Sequence, residues 1–287
     1  MCRILKPIVV VFATAVWPLV LTAPVSAQWV EPAGQGWISA ALFRQSTDQI
    51  YASDGARVPF PLQGRTTALS AYTTVAGGFG RGFDAWVQFS FHRLELRDFS
   101  AIRRSWGPGD FRIYGRWTPA HTFGWNLPIA LRGGIKLPAG DFDGADGLIP
   151  IGDGQTDVEL VAELGHSFWP RDAYLMAWLG YRWRGARSDT GFEFGDERFF
   201  LFTAGTSGQR VGARLTTEGW FGSEPDNGGL AARSQGRRLV RIAPSVLLAA
   251  GPGEAELGVR IPVSGRNLAS GTEVTLGYFM RWQRGSN

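Results

Sequence analysis

Residues 127–137, LPIALRGGIKL, residues 157–164, DVELVAEL, and residues 174–183, YLMAWLGYRW, decide the fold. In the first, Leu127, Ile129, Leu131, Ile135 and Leu137 share one parity and Arg132, Gly134 and Lys136 the other. In the second, Val158, Leu160, Ala162 and Leu164 oppose Asp157, Glu159 and Glu163. In the third, Leu175, Ala177, Leu179, Tyr181 and Trp183 oppose Tyr174, Met176, Trp178 and Arg182. Alternation with period two is the signature of a β-strand. A Gly/Asp-rich loop over 138–155 joins the first pair, and the turn Trp169-Pro170-Arg171-Asp172 joins the second. Long loop followed by tight turn predicts antiparallel neighbours. An apolar face about ten residues long, opposed by a charged one, fits a strand with lipid outside and water inside.

Outward from this stretch the unit repeats. Alternating segments precede it at 36–44, 65–76, 83–95 and 110–118, and follow it at 198–205, 210–221, 237–248, 254–263 and 272–283. Segment 96–109 reads as a charged loop and 77–82 as a glycine turn. Pro244 lies inside the tenth segment, where a ladder position lacks its N–H. Long connections follow odd strands and short ones follow even strands, as in barrels with short periplasmic turns and long outer loops. The fold class is therefore all-β: a single antiparallel up-and-down transmembrane β-barrel of about 12 strands. A soluble sandwich would bury its faces against each other and leave no place for so many arginines on the second face.

The N-terminus sets the compartment. Arg3 and Lys6 precede an apolar stretch over 8–21, and Val25-Ser26-Ala27 is a small-x-small site. This pattern is a secretory signal peptide over 1–27, cleaved near Ala27, with the barrel occupying 28–287. The apolar core is shorter than the ~20 residues a membrane helix needs. The one cysteine, Cys2, falls in the leader, so the mature chain has no disulfide and no thiol nucleophile. Removing Arg3 and Lys6 lowers the formal net charge from +4 to +2, too little to imply a nucleic-acid partner. Gly numbers 39 and Trp 12 in the full chain, which suits tight turns and interfacial aromatic girdles. The expected location is the outer membrane of a Gram-negative bacterium. The partners there are outer-membrane lipid, a small solute and the barrel assembly machinery.

With the apolar parity facing lipid, the opposite parity lines the lumen. The charged lining comprises Arg112, Arg116, Arg132, Lys136, Asp157, Glu159, Glu163, Arg182, Arg214 and Glu218, with Arg198, Arg241, Glu256, Arg260, Glu273 and Arg281 further along. Charges in a lumen must be paired or hydrated. Either the ladder cross-braces a narrow barrel, or it lines a water-filled constriction and selects solutes. Trp86, Tyr114 and Trp178, with Phe200, Phe202, Trp220 and Phe279, carry the same parity. They either fill space and sit in the girdles, or make an aromatic lining suited to a small hydrophobic acid.

Four motifs occur in order: Gly109-Asp110-Phe111-Arg112-Ile113-Tyr114-Gly115-Arg116, Gly134-Ile135-Lys136-Leu137-Pro138-Ala139-Gly140-Asp141, Gly152-Asp153-Gly154-Gln155-Thr156-Asp157 and Gly180-Tyr181-Arg182. Together they resemble the outer-membrane transporter-like family named for the meta-pathway of phenol degradation. The resemblance implies a monomeric barrel proposed to admit aromatic or other hydrophobic compounds.

Asp141, Asp143 and Asp146 form a weak candidate cation site, since calcium takes several carboxylate oxygens. The distal bidentate Glu of an EF-hand is missing, and a solvated outer loop accounts for the same pattern. Glycine-rich bits such as Gly77-Gly78-Phe79-Gly80 do not open a helix, which excludes a phosphate loop, and no cofactor is expected. A membrane-embedded lipid hydrolase needs a Ser–His pair; Ser90 and His92 share a face, but it is the lumen face. The reading is a pore or uptake channel for small, possibly aromatic or hydrophobic, solutes rather than an enzyme. It predicts conductance steps that depend on Arg132 and Lys136. A structural barrel without transport predicts a silent bilayer.

Overall fold

The structure, a computed structural model, describes residues 30–124, 128–139, 151–168, 170–187, 192–206, 210–227, 230–231 and 235–283. The signal-peptide and Asp141/Asp143/Asp146 expectations lie outside the described residues. The chain is a closed antiparallel barrel of strands β1 (Gly36–Thr47), β2 (Arg65–Gly80), β3 (Phe83–Arg97), β4 (Ile102–Pro108 and Phe111–Trp117), β5 (Ile129–Leu137), β6 (Asp157–Ser167), β7 (Ala173–Arg184), β8 (Glu197–Thr206), β9 (Val211–Gly222), β10 (Arg238–Ala250), β11 (Gly253–Arg266) and β12 (Glu273–Trp282). Each pairs with its sequence neighbours. β1 closes the sheet on β12 in continuous register from Gly36↔Trp282 to Gln45↔Glu273.

The two segments of β4 pair with opposite halves of β3, and the register moves by one residue between Phe91↔Pro108 and Gln88↔Arg112. Gly109-Asp110 is thus a bulge, which resets the parity of the strand. It turns Asp110 inward, where its carboxylate meets Lys136 at 3.2 Å. A Cβ at Gly109 would stand 2.4 Å from the His92 ring, so the bulge needs glycine there.

Two boundaries differ from the sequence reading. The expected loop 96–109 is largely strand, a two-stranded ribbon of β3 and β4. The expected glycine turn 77–82 shrinks to Arg81-Gly82, because β2 runs on to Gly80. Pro244 is accommodated by a gap. β10 pairs with β11 at Ile242↔Ile261 and Ser245↔Gly258, with no pairing at the two residues between. The other edge keeps Leu215↔Pro244.

Burial is inverted relative to a soluble protein. Leu257 is 57% exposed and Leu179 52%, whereas Asp84 is 0%, Asp157 2% and Arg132 4%. An apolar outer surface over a charged interior is stable only with hydrocarbon outside. Aromatic rings collect at both rims. Phe79, Phe83, Trp117, Phe123 and Phe168 mark the short-turn end, and Phe91, Trp106, Tyr181 and Trp183 the long-loop end.

One strand has the opposite phase to that expected. On β8 Arg198 lies opposite the outward Tyr181 and Phe200 opposite the outward Leu179, so Arg198, Phe200 and Phe202 face out. Glu197, Phe199, Leu201 and Thr203 face in. The run Phe199-Phe200-Leu201-Phe202 is apolar throughout, so its own composition carries no phase.

Candidate functional site

The inward faces of β3 to β8 carry one continuous chain of alternating charges. The register places it there: Arg116 lies opposite Asp84 and Arg132, Lys136 opposite Asp157, and Arg182 opposite both Glu159 and Glu197. From the short-turn end, Asp84 accepts two bonds from Arg116, at 2.6 and 3.1 Å, and one at 2.8 Å from the Glu31 amide. Arg116 also reaches Glu163 at 3.2 Å. Glu163 accepts from Arg132 at 2.6 Å, and Arg132 approaches Glu159 at 3.5 Å. Arg182 bridges Glu159 and Glu197 at 2.9 and 2.6 Å. Arg184 bridges Glu197 and Asp153 at 3.0 and 2.5 Å. At the long-loop end Lys136 is held by Asp157, Asp153 and Asp110 at 2.8, 3.0 and 3.2 Å. Three carboxylates converge there, and the lysine ammonium is the cation they hold. Beyond this chain, Arg241 and Arg260 join Glu218 and Glu273, and Arg214 is held by Glu256 at 3.1 Å and the Tyr174 hydroxyl at 3.0 Å.

Aromatic rings lie over these charges. The Arg132 guanidinium sits 4.6, 4.8 and 5.1 Å from the ring centres of Trp178, Tyr114 and Trp86. Such contacts are worth ~0.5–2 kcal/mol each, more where water is excluded. Glycine makes the room: a Cβ at Gly134 would stand 2.3 Å from the Tyr114 ring, and one at Gly180 2.2 Å from the Phe199 ring. Both rings therefore lie flat on the wall.

Inside the barrel a cavity of about 770 Å³ is lined by Trp86, Arg112, Tyr114, Glu159, Arg182 and Trp220 among others. A second, of about 240 Å³, lies beside Arg214, Glu256 and Met176. Trp178, Leu201 and Glu218 line both. Arg132 and Asp157 also line the larger one, whereas Arg116, Lys136 and Glu163 are buried and line neither. Asp84, Asp110, Asp153, Arg184 and Glu197 were missing from the sequence-predicted set. Arg184 continues the parity of Arg182 and was legible; Asp153 comes from a loop and carries no periodic signal. Outside the spanning strands, burial opposes ionisation of Asp153, but Arg184, Lys136 and Arg237 outweigh it and bring its pKa down to about 2. Burial raises that of Glu31, against the pull of Arg281.

Ser90 and His92 do not bond each other. The Ser90 hydroxyl donates to the Asp110 carbonyl at 3.1 Å, and His92 Nδ1 pairs with the Ser70 hydroxyl at 2.8 Å. Among the described residues no cluster of His, Cys, Asp or Glu has metal-ligand geometry.

Twelve closed antiparallel strands, an apolar exterior and a charge-laced interior define a transmembrane β-barrel of the outer-membrane type. The solved structures agree on the fold. An outer membrane channel from Pseudomonas putida superposes with a TM-score of 0.69 at 14% identity, covering 88% of this chain and 97% of that one. The translocator domain of the autotransporter NalP from Neisseria meningitidis gives 0.50 at 12% identity, covering 89% and 92%. No protein-family model matches the chain, and no curated protein matches it in sequence. The named family resemblance thus rests on its motifs, while the barrel fold is shared.

Proposed function

We propose that residues 28–287 form an outer-membrane pore or uptake channel for small solutes, aromatic or hydrophobic ones in particular. The leader over 1–27 directs the chain out of the cytoplasm, and the barrel assembly machinery inserts it into the outer membrane of a Gram-negative bacterium. The observation that carries this reading is the cavity of about 770 Å³ inside the barrel, with tryptophan, tyrosine and phenylalanine on its walls. The Pseudomonas putida barrel of the same fold is described as a channel, and the motif resemblance points the same way. The test is flux of benzyl alcohol and of glucose into liposomes carrying the purified protein, beside conductance in a planar bilayer. Faster entry of benzyl alcohol than into protein-free liposomes supports the reading; entry of both solutes at the protein-free rate refutes it.

A second reading, a structural barrel without transport, draws on the self-pairing of the wall charges. It draws also on the segment at the short-turn mouth, where Gly34 and Gln35 exchange backbone bonds with Gly78. It predicts silence in both assays. Arg132 and Lys136 are consumed by ion pairs and, for Arg132, by three rings, so they act on conductance by holding the wall rather than by meeting the solute.

A further inference from the structure

Among the described residues the lumen charges do not all pair. Every other arginine or lysine named above on an inward strand position has a carboxylate oxygen within 3.2 Å. Arg112 does not: no carboxylate among the described residues lies within ion-pair distance of it. Its cross-strand neighbours are Gln88 and Lys136, so the register puts no acid beside it. Glu159 and Asp110 are near enough to act through space, but Glu159 is already bonded to Arg182 and Arg132, and Asp110 to Lys136. The Gln88 amide N–H donates to Thr74 at 3.0 Å, leaving its carbonyl end as the polar group on that side.

A guanidinium carries five donors and stays charged at all accessible pH. Held in a lumen without a counter-charge, it is costly unless water or an anion meets it. Arg112 lines the larger cavity with Tyr72, Gln88, Tyr114, Trp86 and Trp178. A volume of about 770 Å³ falls within the ~300–1,000 Å³ of small-molecule sites. The chamber therefore offers the Arg112 fork for a planar anion, while the other guanidinium on its wall without an ion pair among the described residues, Arg237, lies over the Phe194 ring at 4.5 Å.

We infer that Arg112 is the anchor of a binding site for an organic carboxylate with an aromatic or apolar body. The carboxylate takes the two parallel N–H bonds of the guanidinium, and the body lies against the parts of the half-buried Tyr72, Trp178 and Trp220 that line the cavity. This deepens the channel reading by giving the solute a charge, and it rests on that reading for its biological sense.

The experiment is a tryptophan-fluorescence titration of the purified full-length protein with benzoate, benzyl alcohol and chloride, repeated on Arg112→Gln and Arg112→Lys. Native folding of each variant is checked by heat-modifiable mobility. Benzoate should bind more tightly than benzyl alcohol. Arg112→Gln should weaken benzoate tenfold or more, Arg112→Lys less, and neither should change benzyl alcohol. Should Arg112→Gln not fold, the Arg112→Lys titration and the wild-type preference for benzoate decide. Benzoate bound no better than benzyl alcohol, benzoate affinity unchanged in the variants, or chloride competing at equal concentration would each overturn the inference. The liposome assay separates the two claims. Benzoate that binds through Arg112 while benzyl alcohol and glucose enter no faster than into protein-free liposomes refutes the channel and leaves the site. Benzyl alcohol that enters faster than into protein-free liposomes while benzoate ignores Arg112 refutes the site and leaves the channel.

Discussion

Removing Arg116 strands a carboxylate. Asp84, with no exposed surface, loses both guanidinium bonds in Arg116→Gln and keeps only the Glu31 amide. Glu163, by contrast, keeps Arg132 at 2.6 Å. Breaking a buried pair by deleting one partner costs ~3–5 kcal/mol, and with one stranded acid Arg116→Gln should fall in that range. Asp84→Asn is milder. Arg116 retains Glu163 at 3.2 Å, so the loss is that of one charged hydrogen bond, ~1.5–3 kcal/mol. In the double variant the amides replace the ions, and the damage should be no greater than for Arg116→Gln alone. The coupling free energy of the cycle should reach at least ~1.5 kcal/mol. The assay is urea unfolding in phospholipid vesicles, followed by tryptophan fluorescence and by heat-modifiable mobility. Additive single effects, or an Arg116→Gln cost below ~1 kcal/mol, would show that water reaches Asp84 and that the ladder is not a dry brace.

Three further outcomes follow from the same geometry. Leu179→Arg, on the outward face, should cost ~2–4 kcal/mol in vesicles if the residue is near the bilayer midplane; a neutral effect would mean that this face is not in lipid. Asp153 has a folded-state pKa of about 2, below its unfolded value of ~3.9. Its contribution is thus present above pH ~4 and lost as pH falls toward 2. That contribution is at most ~2 kcal/mol, reduced by solvent at a carboxylate one-third exposed, and Asp153→Asn should erase this part of the pH profile. Gly134→Ala must displace Tyr114 from the wall beside Arg132 and should lower stability by ~1–3 kcal/mol; an unchanged urea midpoint would mean that the ring moves freely.

The spanning half of the barrel was legible because lipid and lumen demand opposite chemistry on alternate residues. Val158 to Glu163 shows this in six letters. The β3–β4 ribbon was not legible: outside the bilayer a strand needs no apolar face, and Arg103-Arg104 reads as loop. β8 was misphased because Phe199 to Phe202 offers no polar letter; the buried Glu197, one residue before the expected start, sets the phase. The ion pairs were half visible. Arg182 and Glu159 are on strands whose register follows from the short turn between them. Asp153 and the pairing of Asp110 depend on a loop return and a bulge, which no periodicity records. Arg112 was legible as a lumen residue, but that no acid among the described residues pairs with it needs the register of three strands.

The charge chain also says how such a sequence is free to change. On the outside any greasy side chain serves, so Leu, Val, Ile and Phe can replace one another singly without penalty beyond packing. On the inside an ion shared by two neighbours cannot be altered alone, and its history must proceed by matched exchanges. Two barrels can therefore share this fold at 14% identity, with the constraint carried by coupled pairs rather than by single letters.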